Sequence, residues 1–505
     1  MVFVGWLLAL VLAVSGGMAP LQVLAAGAGK PVRAVKSAST AKVPAALQKI
    51  LAHAQIPPDA VSLLVMDASG QLPPRLSHRA EASMNPASVM KLVTTYAALD
   101  TLGPDFTWKT RVILDGEVSA GLLNGNMVLR GTGDPKLVVE RLQALLMQVR
   151  NSGVRAIHGD IVLDRNAFSL PLQSAADFDG EPLRPYNARP DALLVNFKSL
   201  VMTFTPDPAS GRALVRSEPP LAGVKVDESV PLSNSPRCGD WRSELRADME
   251  RPERVQFAGS YALGCGERVW PSAYVEPDSH APRAIEASWK LLGGLLTGRV
   301  RDATPAELAV LRQRGTLSGQ TAPVRLEVPS LPLLDVVRDV NKFSNNVMAQ
   351  HLFLSLARPG GPTPDATATL EDSRTALQAW WRKTLPQAAL PVVDNGSGLS
   401  RSERISASAL AALLQHAAAS RVGPAYADSL VQLGSDPGMR DRARAAAGRA
   451  QLKTGTLRDV TAVAGYAQGL SGRRYIVVGM INHPNASAGR AALDQLLEWT
   501  VLESP

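Results

Sequence analysis

Of 505 residues only two are cysteine and seven are histidine, and the histidines are scattered. No cluster with metal-ligand spacing can be assembled from them, so a structural or catalytic metal site, or a bound cofactor, finds no support in the sequence. Charged residues make up 19% of the chain against 46% hydrophobic, the balance of a folded globular protein rather than a disordered one. The net charge is +8, yet no lysine or arginine block and no basic stripe interleaved with aromatics stands out. The charge reads as a solvated basic surface, and nucleic acid is not expected as a partner. No repeat period is visible. Beyond the N-terminus no stretch is apolar enough to span a bilayer, which leaves at most peripheral membrane contact.

What is present begins with an uncharged N-terminus. The first 26 residues hold no Lys, Arg, Asp or Glu, and Met1 to Val14 is almost wholly apolar. Ser15-Gly16-Gly17 breaks the run, and Val23-Leu24-Ala25-Ala26 suits cleavage near Ala25 or Ala26, so residues 1–26 read as a secretory signal peptide. An uncleaved anchor is the alternative, disfavoured by Gly16, Gly17 and Pro20. Residues 27–46, rich in Ala, Gly, Lys and Pro, read as a flexible lead-in. Export would place Cys238 and Cys265 in an oxidising compartment and let them form a disulfide; free buried thiols are the alternative.

Length sets a prior of two or three domains. Val61 to Asp67 reads as a buried strand turning at Ser69-Gly70. Short strands are expected at Thr110–Leu114, Met127–Arg130 and Ile161–Leu163, with Asn124-Gly125 as a hairpin turn. Val138–Val149 reads as a helix stopped near Gly153. Leu193–Thr205, Ala213–Ser217 and Val255–Leu263 suggest further strands, and Ala284–Leu296 and Thr304–Arg314 helices. Helical pattern returns from Leu331 through Ala357. Leu452–Leu457, Val460–Gln468 and Tyr475–Ile481 then form an antiparallel meander closed by a helix over Ala488–Val501.

Three motifs carry chemistry. In Asn85-Pro86-Ala87-Ser88-Val89-Met90-Lys91, Pro86 opens an apolar helix and places the Ser88 hydroxyl one turn from the Lys91 amine. A serine is inert until a neighbouring base takes its proton, and a desolvated lysine can serve as that base. Ser39-Thr40-Ala41-Lys42 has the same spacing without an apolar body, so the pattern also arises by accident, and a core helix with Lys91 reaching to water would look similar. Ser344 and Asn346 stand between two helical stretches, where a hydroxyl can relay a proton and a carboxamide can hold a substrate amide; a helix cap is the plainer reading. Lys453-Thr454-Gly455-Thr456 lies on the first meander strand. There Lys453 and the threonine hydroxyls could bind a carboxylate, and Gly455 could admit a substrate backbone to the strand edge; an ordinary surface strand is the alternative.

Ser-x-x-Lys, Ser-x-Asn and Lys-Thr-Gly in this order form the motif set of serine β-lactamases and penicillin-binding proteins. The chain resembles the class C low-molecular-mass penicillin-binding proteins, the D-alanyl-D-alanine carboxypeptidases and endopeptidases. The resemblance extends to Gly131-Thr132-Gly133-Asp134-Pro135, Tyr186-Asn187-Ala188, Leu194-Val195-Asn196 and Asn395-Gly396-Ser397-Gly398-Leu399-Ser400-Arg401, and to the long interval between Lys91 and Ser344. It implies an α/β (α+β) fold: a serine β-lactamase/DD-peptidase-like catalytic domain with an antiparallel sheet and helices, over residues 47–108 and 326–505, interrupted by inserted mainly β domains, two small ones, within 109–325.

It also implies roles: Ser88 as acylated nucleophile, Lys91 as general base, and the N–H groups of Ser88 and Thr456 as oxyanion hole. Ser344 and Lys453 would pass a proton to the leaving D-alanine, Asn346 would hold the acyl-side amide, and Thr454 and Thr456 would bind the terminal carboxylate beside Gly455. The identity of the first proton acceptor stays open. Asn345 stands where the commonly quoted motif has Asp, at a position that need not face substrate. The implied partners are peptidoglycan stem peptides and cross-links in the periplasm, with β-lactams as covalent inhibitors. Two rivals remain at this point: a β-lactamase or esterase of the same superfamily, and a non-catalytic wall-binding scaffold.

Overall fold

A computed structural model describes residues 42–314, 317, 325–358 and 367–504. The expected signal peptide and most of the lead-in lie outside the described residues. Helix α1, Ala45–His53, begins inside the stretch read as flexible, because Leu47 and Leu51, one turn apart, bury on a common face.

The central element is a six-stranded antiparallel sheet of β1 (Val61–Asp67), β2 (Leu76–His78), β3 (Val431–Gln432), β4 (Ala450–Leu457), β5 (Val460–Gln468) and β6 (Arg474–Asn482), in the order β3-β4-β5-β6-β1-β2. β4 to β6 are the meander expected from sequence. β1 then adds to its far side, Val61 opposite Ile481 and Asp67 opposite Tyr475, which joins chain segments four hundred residues apart. Side-chain alternation sorts the strands onto two cores. Leu64, Ala462, Ala464, Ile476 and Val478 face one layer of helices, including α2 (Lys91–Leu102), α3 (Leu333–Phe343), α4 (Asn346–Ser355) and α5 (Ala407–Ala419). Leu63, Val65, Val463, Val477 and Ile481 face the other, built from α1 and α6 (Arg490–Val501). Leu92 to Leu99 of α2 are buried without a break, so this helix is surrounded on all sides. In α3 the buried positions Leu333, Val336, Val337 and Val340 form a single stripe.

Residues from Lys109 onward build three other sheets, of seven, five and three strands. A single hydrophobic core, running from Val112 and Leu129 to Phe204, Tyr261 and Trp289, connects the first two. The strand Arg325–Pro329 pairs with Lys109–Ser119, across the 325/326 boundary expected from sequence. The chain leaves and re-enters the helical body at one place, where Trp108 and Ser330 are doubly hydrogen bonded at 3.0 and 2.8 Å. Cys238 and Cys265 form a disulfide.

Several local expectations are corrected. Asn124-Gly125 is not the hairpin turn: the strands Lys109–Ser119 and Leu122–Arg130 turn at Ala120-Gly121, and Gly125 sits mid-strand opposite Gly116. In Leu193–Thr205 only Ser199 onward is strand. Asn196, Phe197 and Lys198 all take positive φ, which breaks extended chain while Leu193, Leu194 and Val195 still bury. Val255–Leu263 is split into Arg254–Phe257 and Tyr261–Ala262, and the helix expected to reach Leu296 ends at Leu291.

Candidate active site

The turn before α2 is short and pinned from both sides. Ser88 lies in the 3-10 turn Ala87–Met90 that feeds α2, not in the α-helix itself, and Ala87 takes φ +46°. A non-glycine residue persists in that region only when its surroundings hold it. Asn85 provides the hold: its Oδ1 accepts the Ala87 N–H at 2.8 Å, and its Nδ2 donates to the Ser400 carbonyl at 2.9 Å. Its backbone exchanges two bonds of 2.8 and 2.9 Å with the Asn482 side chain on β6. The serine is thereby tied to the sheet.

Lys91, 0% exposed, donates from Nζ to Ser88 Oγ at 3.0 Å, to Asn346 Oδ1 at 2.6 Å and to the Ser397 carbonyl. All three acceptors are neutral, and no carboxylate pairs with it among the described residues. Burial, and then the charge of Lys453, pull the Lys91 amine well below its ordinary value, while Glu403 pulls the other way.

The second motif closes one helix and opens the next. Ser344, at φ +56°, ends α3 in the left-handed region, which turns its hydroxyl toward the sheet motif. Asn345 caps α4, its Oδ1 accepting the Met348 N–H at 3.0 Å. Asn346 joins Lys91 through Oδ1 and donates from Nδ2 to the Tyr186 carbonyl at 3.0 Å, leaving one amide hydrogen without a partner among the described residues.

On β4, Lys453 is 1% exposed and reaches Ser344 Oγ and the Thr454 carbonyl, each at 2.9 Å. Burial pushes its amine down to about 7. β3 pairs only with Gln451 and Leu452, so among the described residues no strand covers that edge of β4 from Lys453 onward. Gly455 has a different reason from the one expected. A Cβ there would lie 2.6 Å from the Pro86 carbonyl and 2.8 Å from the Ser88 nitrogen, so the glycine first serves the approach of β4 to the Ser88 turn. Beside this edge is a cavity of about 240 Å³, lined by Thr454 and Thr456 together with Lys342, Met439, Arg442 and Arg490. Lys342 is neutralised by Asp436 at 2.7 Å and Arg442 by Asp494 at 2.6 Å; Arg490 pairs with no carboxylate among the described residues.

The five catalytic candidates named from the sequence thus form two hydrogen-bonded groups, Ser88–Lys91–Asn346 and Lys453–Ser344, related by the charge of Lys453 acting on Lys91, with Thr454, Gly455 and Thr456 following Lys453 on β4. Sequence reasoning missed the backbone acceptors at Ser397 and Tyr186, the brace from Asn85 and Asn482, and the buried Glu403. The run Asn395 to Arg401 is part of the resemblance, but carbonyl direction leaves no trace in residue type. Among the described residues no group of His, Cys, Asp or Glu is arranged to hold a metal ion.

The chain is 24% identical over 403 residues to D-alanyl-D-alanine carboxypeptidase DacB of Haemophilus influenzae, covering 78% of this chain and 80% of that protein. It is 28% identical over 424 residues to a D-alanyl-D-alanine carboxypeptidase of an Actinomadura species, covering 81% and 74%. Its fold matches the crystal structure of penicillin binding protein 4 from H. influenzae with a TM-score of 0.68 at 20% identity, over 90% of this chain and 99% of that one. Residues 43–501 match the D-Ala-D-Ala carboxypeptidase 3 (S13) family model, and the chain belongs to that family.

Proposed function

We propose that this chain is an exported serine DD-peptidase that cleaves D-Ala-D-X bonds of peptidoglycan stem peptides or cross-links through an acyl-enzyme on Ser88. The observation that carries the reading is the 3.0 Å contact between Ser88 Oγ and the amine of a buried lysine with no carboxylate partner among the described residues. Such an amine, held toward its neutral form, can accept the Ser88 proton as the oxygen bonds to the penultimate D-Ala carbonyl carbon. The N–H groups of Ser88 and Thr456 take the developing oxyanion. As the C–N bond breaks, Lys453 and Ser344 deliver a proton to the departing amine, and water later removes the acyl group. The remaining amide hydrogen of Asn346 meets the acyl-side carbonyl. Thr454, Thr456 and the uncompensated Arg490 favour a leaving group that ends in a free carboxylate, which argues for carboxypeptidase action on terminal D-alanine.

The catalytic body is read as 47–108 and 326–505 with 109–325 inserted, and pairing of Arg325–Pro329 with the inserted sheet supports a second boundary nearer to about residue 330. On this reading the protein works after export, in the periplasm or cell envelope.

The first test is the intact mass of the mature protein before and after brief exposure to benzylpenicillin, with peptide mapping. A lasting adduct on Ser88, D-alanine release from a D-Ala-D-Ala peptide, and loss of both in Ser88→Ala are expected. Penicillin consumed with no adduct would instead support a β-lactamase. Penicillin left intact with no adduct would support a non-catalytic scaffold.

A further inference from the structure

Behind the Ser88–Lys91 pair lies a carboxylate that the mechanism above does not use. Glu403 is 0% exposed. One of its oxygens, Oε1, accepts three backbone N–H groups, from Asp394 at 3.2 Å, Asn395 at 3.1 Å and Gly396 at 2.8 Å. The other, Oε2, is buried with no hydrogen-bond partner among the described residues. A buried carboxyl with an unsatisfied oxygen is a costly feature, and its surroundings show what it maintains.

The loop gripped by Oε1 touches the nucleophile from behind at three successive points. The Gly396 carbonyl accepts the Thr94 hydroxyl at 2.6 Å, and the Ser397 carbonyl accepts Lys91 Nζ. Gly398 lies so close to the nucleophile turn that a Cβ would come within 2.0 Å of the Ala87 carbonyl oxygen and 2.7 Å of Ser88 Cα. Lys91 and Thr94 are one turn apart on the same face of α2. One side chain therefore fixes the segment that sets both the height of Ser88 and the direction of the Lys91 amine.

We propose that Glu403 is a positioning residue for Ser88 acylation, holding the 394–398 loop against the nucleophile turn through Oε1 and setting the charge balance around Lys91 through its carboxylate. The proposal rests on the DD-peptidase reading. The ionisable groups around it are few. Lys91 approaches from α2, with Lys453 of β4 acting on Lys91 in turn. Asp394 lies on the held loop and is itself bound by Arg374 at 3.0 Å; Arg404 donates to the Glu403 backbone carbonyl at 2.8 Å and points its charge outward. Burial pushes the Glu403 carboxyl up to about 7, against the pull of the three N–H groups, with Asp394 adding to the rise. Ionised Glu403 favours protonated Lys91.

Glu403→Gln separates the two functions. The amide oxygen can still accept the three N–H groups, while the charge is gone. Wild-type acylation by nitrocefin or benzylpenicillin should show an acid limb as Lys91 takes up its proton. In E403Q, which lacks the charge that favours protonated Lys91, that limb should move to lower pH by about half a unit or more. Glu403→Ala, which also releases the loop, should acylate roughly tenfold or more slowly at every pH. An E403Q limb that superimposes on the wild type overturns the electrostatic half, and E403A acylating at the wild-type rate overturns the positioning half. If E403A fails to fold, Glu403→Asp decides the positioning half: it keeps a carboxylate but is one methylene too short to hold the three N–H groups together, and acylation at the wild-type rate would overturn it. Absence of any Ser88 adduct in the wild type would count against the DD-peptidase reading and is distinguishable from both results.

Discussion

Two regions of this protein bury charge, and they do so in opposite ways. Beneath the inserted sheets, Asp191 is enclosed with Arg165 at 2.9 Å and Lys198 at 3.0 Å, and its other oxygen accepts the Leu193 N–H at 3.0 Å. Burial alone would raise its carboxyl, but Lys198 and then Arg165 outweigh that and hold it below the ordinary range. In the cleft, Lys91 and Lys453 are as deeply buried, yet their hydrogen-bond partners are hydroxyls, an amide and carbonyls. A buried charge matched at hydrogen-bond distance stays charged and ties segments together. A buried amine offered only neutral acceptors is driven toward its neutral form, the state in which it can exchange protons near pH 7.

The largest effects should fall on opposite readouts. Lys91→Met should lower the acylation rate by at least about 10³-fold while leaving the urea midpoint unchanged or raised, because an unpaired buried amine leaves the core. Asp191→Ala should do the reverse. It strands Lys198 without a carboxylate among the described residues, leaves Arg165 only the more exposed Asp302 at 2.9 Å, and should destabilise the fold by about 3–5 kcal/mol, with the adduct rate per folded molecule close to wild type. The comparison breaks if Lys91→Met unfolds the protein as far as Asp191→Ala does, or if Asp191→Ala abolishes acylation.

The disulfide tests the same separation more mildly. Cys238 and Cys265 are 27 residues apart in the chain, a loop whose closure is worth about 3 to 4 kcal/mol in the denatured state. Replacing both by serine should lower thermal stability on that scale and leave penicillin acylation intact. A parallel loss of acylation would show that the inserted region and the cleft unfold together.

How much of this could be read in advance depended on how local each cause was. β5 was expected at Val460–Gln468 and lies there, because its bounds follow from short loops and a continuous apolar run. The pairing of β6 with β1 has no local signal. Asn124-Gly125 misled because a glycine that serves strand-to-strand approach looks identical, in sequence, to one that serves a turn. The catalytic side chains were legible because Ser88 and Lys91 are one turn apart, and because the other two motifs each lie within four residues. Glu403 was not. Its significance comes from being enclosed beside a lysine 312 positions earlier in the chain, and an acidic residue in a Ser- and Arg-rich stretch reads as surface.

The finest test compares pH dependences of stability. The Lys453 amine sits at about 7 in the folded protein against an ordinary value of 10.5. Below pH 7 it is protonated whether the chain is folded or not, so the cost of burying the cation is fully present. Between about 7 and 10.5 the folded protein sheds this proton while the unfolded chain keeps it, and stability rises with pH, by at most ~1.4 kcal/mol per pH unit. Lys453→Met lacks the group. The wild-type urea stability minus that of K453M should therefore be flat below pH 7 and climb above it. For Asp191 the sign is opposite: its folded value is depressed, so its contribution is present above the ordinary carboxylate value of 3.8 and is lost only as pH falls through the lower folded value. The wild-type minus D191A difference should be level from neutral pH upward. A wild-type minus K453M difference that is also level across that range would mean that Lys453 keeps its proton in the cleft, and would leave the two regions chemically alike.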